Sequence, residues 1–136
     1  MKKSGDDVLN DLFPIIRDSG LMSIVNGKLY KGGTMRPMSS PKEDVIMTFK
    51  AGLDGQIQDG AVVINIYVPD IDIGAGGKTK DSTRTAEISQ ACYEIFEKKS
   101  FGKYLFWYGN MVNTFREEHI KQHFVSIDLR FKHIIY

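Results

Sequence analysis

One cysteine, four prolines and no long apolar run: this 136-residue chain lacks most of what would place it at a glance. With Cys92 alone, an internal disulfide is excluded, and so is a redox couple built on two thiols of one chain. Cys92 falls on the apolar side of a predicted helix, with no basic neighbour in sequence to stabilise a thiolate, so it is expected to be a small core residue. No stretch approaches the roughly 20 apolar residues of a membrane span. The first residues run from Lys2-Lys3 into Asp6-Asp7, not into the apolar core of a signal peptide. The expected setting is therefore a cytosol, or a particle assembled in one. Excess charge is missing too: 18 basic residues stand against 17 acidic ones, for a formal charge of +1. That is too little to draw the chain to nucleic acid or an acidic membrane through a long-range field.

A catalytic constellation is also missing. The histidines are His119, His123 and His133. His119 and His123 have the spacing of two zinc ligands on one helix face, but Ile120, Lys121 and Gln122 between them supply no glutamate of the zinc-protease kind. In a strand they are expected on a solvated face, made basic by Lys121, Arg130 and Lys132. Gly74-Ala75-Gly76-Gly77-Lys78-Thr79 resembles a phosphate loop, yet the glycine such a loop needs five residues before its Gly-Lys pair is here Asp72. Asp70 and Asp72 would repel a phosphate. Asp70, Asp72 and Asp81 fall at calcium-loop positions one, three and twelve, but Gly74 and Ala75 stand at five and six, and twelve is not glutamate. No catalytic, cofactor-binding or metal-binding residue is assigned.

What the chain does have is β-branched and aromatic residues in one dense run. Ala61-Val62-Val63-Ile64-Asn65-Ile66-Tyr67-Val68, between Asp59-Gly60 and Pro69-Asp70, predicts a central strand. Val62, Ile64, Ile66 and Val68 take one face and Ala61, Val63, Asn65 and Tyr67 the other, so both faces are expected to be covered: helices on one side, another subunit on the second. At this length one domain, residues 1–136, is expected. Ser4 predicts a helix from Gly5, with Asp7 completing a capping box and Pro14 kinking or dividing it before Ser19-Gly20. Leu21 to Val25 predicts a turn of helix, Asn26-Gly27 a turn, and Lys28 to Lys31 a short strand. Gly32 to Glu43 is expected to be irregular. Asp44 to Ala51 is expected to pair antiparallel with Gly60 to Val68. Asp70 to Lys80 predicts a glycine-rich loop, followed by a helix from Asp81 or Ser82 that buries Ile88, Ala91, Cys92, Ile95 and Phe96 and ends at Ser100 to Gly102. Tyr104 to Val112 predicts an aromatic strand broken at Gly109-Asn110, and Glu118 to Tyr136 a final strand or pair of strands. The fold class is α+β, a mostly antiparallel sheet with two main helices on one face.

The order of these elements resembles a known family. An N-terminal helix, then Ile24-Val25-Asn26-Gly27-Lys28-Leu29-Tyr30 leading into a first strand, a loop ending in Pro41, a strand pair, a helix carrying Ala91 and Ile95, and closing strands are similar to the tail-completion (tail terminator) proteins of long-tailed bacteriophages. Val25, Gly27 and Tyr30 carry the pattern of that first strand. The resemblance implies a structural virion subunit with no reaction and no cofactor. Such a subunit forms a ring, a hexamer in the family's usual form, on the head-proximal end of the tail tube, where it stops tube growth and docks to the head connector. Its implied partners are itself, the tail-tube protein and the head-tail connector protein, with no membrane and no specific nucleic acid; its implied place is the virion, assembled in the bacterial cytoplasm. Interface candidates are Asp70, Asp72 and Lys78 on the glycine-rich loop and Lys121, Arg130 and Lys132 on the basic face. Two alternatives stand beside this reading: another phage neck or adaptor protein, and a small-ligand or nucleotide-binding α+β domain using loop 70–80.

Overall fold

Ser4 opens the first helix with a reciprocal cap. Its hydroxyl accepts from the Asp7 N–H at 3.1 Å, and the Asp7 carboxylate accepts from the Ser4 N–H at 3.0 Å. The resulting α1 (Gly5–Arg17) buries Val8, Leu9, Leu12 and Ile16 along one stripe. The predicted division at Pro14 does not occur: the helix runs through it. Proline removes only the bond to the carbonyl of Asn10, and Asn10 lies on the exposed side, where that loss costs least. The computed structural model describes residues 4–32, 36–37, 40–53, 57–74, 77–97, 99–101, 104–109, 112–117 and 122–134.

The remaining elements are α2 (Leu21–Ile24), β1 (Leu29–Lys31), β2 (Val45–Leu53), β3 (Ile57–Pro69), β4 (Ile71–Gly74), β5 (Gly77–Thr79), α3 (Ser82–Phe96), β6 (Lys99–Phe101), β7 (Tyr104–Tyr108), β8 (Asn113–Glu117) and β9 (Gln122–Ile134). Asp81 caps α3 by accepting from the Arg84 N–H at 3.1 Å. The sheet runs β1-β2-β3-β9-β7-β6, with β8 beside β9 as well, and only the β1–β2 pair is parallel. This is the expected α+β class. β3 and β9 are its spine, antiparallel from Ile57↔Ile134 to Pro69↔Gln122.

Period two decides which side chains enter the core. Val62, Ile64, Ile66 and Val68 of β3 meet Val45 and Met47 of β2 and Val125, Ile127, Leu129 and Phe131 of β9 on the face that α1 and α3 cover, and all are buried. α2 touches both longer helices and closes the layer between them. Cys92 is in this core, as expected, and burial pushes its thiol up to about 12. Among the described residues no second layer seals the opposite face. Ala61 is buried there, but Val63, Asn65 and Tyr67 are half-buried beneath side chains of their own sheet.

Three expectations need correction. Asp70 to Lys80 is not a loop: it holds the β4–β5 hairpin, a two-stranded sheet of its own. The third helix stops at Phe96, and Lys99–Phe101, given to the helix end, is strand β6 paired with β7. Asn113–Glu117, between the predicted strands, forms β8. Each missed strand is short and is specified by its neighbour's edge more than by its own pattern.

Candidate functional site

The turn at Asn26-Gly27 is locked to the far end of the crossover that follows it. Asn26 Oδ1 accepts from the Glu43 N–H at 2.8 Å, and Asp44 Oδ1 accepts from the Lys28 N–H at 2.9 Å. Gly27 lies between them so closely that a Cβ would strike the Asp44 carboxylate and the Glu43 backbone. Val25 is buried and Tyr30 pairs with Ile46, so the residues of the family-like pattern form a clasp between β1 and β2.

Arg36 extends the clasp across the sheet. Its guanidinium donates to Asp44 Oδ2 at 2.8 Å and to Gln122 Oε1 at 3.0 Å, and stands 4.3 Å from the centre of the Tyr67 ring. Burial works to raise the Asp44 carboxyl, but the Lys28 N–H, the Ser40 hydroxyl and Arg36 outweigh it and hold Asp44 below the usual carboxylate range. On the helix side Glu43 takes both Arg84 Nε at 2.6 Å and Nη2 at 2.7 Å, raising the Arg84 pKa further. These are structural ties.

The hairpin is different, because it makes few contacts with the rest of the molecule. Its root is fixed: Asp70 Oδ1 lies 2.7 Å from His123 Nδ1, and since a carboxylate only accepts, Nδ1 carries the proton. Asp72 Oδ1 accepts from the Gly74 N–H at 2.9 Å, and Gly74 takes φ +89°, where a side chain is strained. Asp72 and Lys78 oppose one another across the strands, 3.9 Å apart, on one face. Ile71 and Ile73 take the other, and they are 46% and 64% exposed. Among the described residues the remaining large exposed hydrophobic is Phe115 on β8, at 50%.

Among the described residues no phosphate cradle is formed. Lys78 sits on β5 beside Asp72, and the N-terminus of α3, where a phosphate would bind, is taken by the Asp81 carboxylate. Asp70 is not free for a partner either, since its side chain is nearly buried against His123. Nor does His123 share a face with Arg130 and Lys132: counting by two along β9 puts it with Val125, half-buried, and puts Arg130 and Lys132 on the open face. Lys121 and His119 lie outside the described residues.

The open face carries its own pattern. The bulge between Phe49 and Ala51 frees Lys50 to reach across β3 to Asp128 Oδ2, at 3.0 Å, above Val63. Lys132 stands over the Trp107 ring and Phe124 contacts both Tyr67 and Phe115. Asn65 Oδ1, in the middle of this face, has no hydrogen-bond partner among the described residues.

The fold recurs elsewhere. One solved structure matches 98% of this chain and 99% of its own length with a TM-score of 0.55 at 13% identity, and its name carries no functional word. No protein-family model and no curated protein matches the sequence. The sequence points to Asp72 and Lys78 but not to the exposed Ile71 and Ile73 beside them. Their signal is the alternation Asp-Ile-Asp-Ile, which the glycines at 74, 76 and 77 obscure.

Proposed function

We propose that this protein is a non-enzymatic structural subunit that assembles with copies of itself, and that its assembly is the ring of a phage tail-completion protein. The observation that carries the self-association is the β4–β5 hairpin, which holds Ile71 and Ile73 in water on a two-stranded sheet. Such a ribbon is marginal alone and gains stability by adding strands or a covering surface. The half-covered second face of β3, with Val63 and Tyr67 only part-buried, supports the same reading, since it would be completed by contact. The phage role rests on the resemblance of element order and of Val25, Gly27 and Tyr30, now seen as a clasp. Sedimentation velocity and negative-stain imaging of the purified chain test it: closed rings, and rings capping the ends of tail tubes on mixing, are the expected result. A protein that stays monomeric at millimolar concentration and leaves tube ends bare refutes it.

A further inference from the structure

We propose that the Asp70–His123 contact is a two-position latch on the β4–β5 hairpin. Closed, it holds the hairpin to the large sheet; open, Asp70 stands in water and the hairpin swings on its two chain connections. The inference goes beyond the self-assembling reading and does not depend on it.

The ladder between β3 and β9 ends at Pro69↔Gln122, and the chain leaves the sheet at the next residue, Asp70. Beyond it, among the described residues, β4 and β5 pair only with each other. β4 is exposed along its whole length, so burial does little to seat it. The return end is closed locally, by the Ser82 N–H on the Lys80 carbonyl and by the Asp81 cap on α3, and neither bond reaches the sheet. Among the described residues one side-chain hydrogen bond joins the hairpin to the sheet, from His123 Nδ1 to Asp70 Oδ1 at 2.7 Å.

That bond lies in a nearly dry place. The Asp70 side chain is 5% exposed and that of His123 17%, and His123 stands in register between Val68 and Arg116. A carboxylate that loses its donor in such a seat is an uncompensated buried charge, and it does not stay there. It either keeps the imidazole N–H or moves into water, and because Asp70 is the first residue past the sheet, its departure carries Ile71 with it. A half-way position has neither partner nor water. This is what makes the contact a latch and not a graded restraint, and it makes His123 a positioning residue for a hairpin of which it is not part.

Hydrogen exchange read by mass spectrometry tests the latch, on protein dilute enough that association does not bear on the result. Asp70→Ala removes the acceptor and should speed exchange over residues 71–79 at least about tenfold, the size expected of a hydrogen bond to a charged group, with β3 and β9 unchanged. Asp70→Asn still offers an acceptor oxygen and should stay within about threefold of the parent. His123→Phe strands the carboxylate and should open the hairpin further than Asp70→Ala does; the double variant Asp70→Ala/His123→Phe has no charge to strand and should fall back toward the level of Asp70→Ala. That reversal marks a direct pair, since packing lost around His123 would leave the double variant as open as His123→Phe. Parent-like exchange in Asp70→Ala, a double variant no slower than His123→Phe, or β3 and β9 speeding up as much as the hairpin overturns the proposal. If His123→Phe does not fold, the other two single variants decide: equal exchange in Asp70→Ala and Asp70→Asn overturns it. All of this is read on single copies, so a chain that never assembles removes the proposed function and leaves the latch standing.

Discussion

Asp44 is buried where the crossover closes, and three groups converge on its side chain. Its carboxylate receives Lys28, Ser40 and Arg36 from three parts of the chain, and both it and Arg36 are almost wholly buried. Removing the cation leaves the anion stranded, so Arg36→Met is expected to cost about 3–5 kcal/mol in urea unfolding. The pH dependence has a definite sign. A carboxyl held low in the folded state stabilises it at every pH above its unfolded value, about 3.9, and that contribution fades as pH falls through the folded value. Stability should therefore hold through neutral pH and decline below about pH 4, and in Arg36→Met the decline should begin at higher pH. Acid titration followed by circular dichroism checks both. Gly27 is the other residue with no latitude. Gly27→Ala drives a Cβ into backbone, and a loss of about 1–3 kcal/mol in the same assay is expected. Neither Arg36 nor Asp44 was legible as a tie in the sequence, because their meeting depends on a crossover that closes in three dimensions. Asn26-Gly27 was legible as a turn, and Cys92 as a core thiol.

Elements with strong internal periodicity were readable and weak ones were not. β3 and β9 alternate over many residues, so their faces and their pairing partners follow from counting by two. α1 and α3 announce themselves through Ser4 and Asp81. β6 and β8, with three and five residues, carry no such signal. The hairpin was misread for a different reason: its glycines suggest looseness, yet Gly74 is there because the turn demands a positive φ. That view makes the hairpin a separable device. Ile71→Asn/Ile73→Asn should leave the thermal midpoint of dilute protein within about 2 °C of the parent, since exposed side chains contribute little to folding. Ile64→Ala, emptying a site between Met47 and Ile127, should cost about 2–5 kcal/mol. Differential scanning calorimetry separates the two outcomes.

At the scale of the whole molecule, one face of the sheet is finished by helices and the other is finished only in part. The sequence suggested two covered faces on β3; the structure divides them, sealing Val62 to Val68 on one side and leaving Val63, Asn65 and Tyr67 beneath an ion pair and a few rings. Association that buries such surface should make the melting temperature of the parent rise with protein concentration, and that dependence should vanish in Ile71→Asn/Ile73→Asn. Calorimetry across a hundredfold range of concentration reads it directly.

The hairpin has a further consequence for a freshly made chain. A two-stranded ribbon that holds Ile71 and Ile73 in water presents bare edges, and a crowded cell offers them many wrong templates. Asp72 and Lys78 stand on the face away from Ile71 and Ile73, so that stacking identical ribbons in register would set like charges upon one another. The same two residues that look like minor ornament on a small arm thus disfavour the stacking of one such arm upon another.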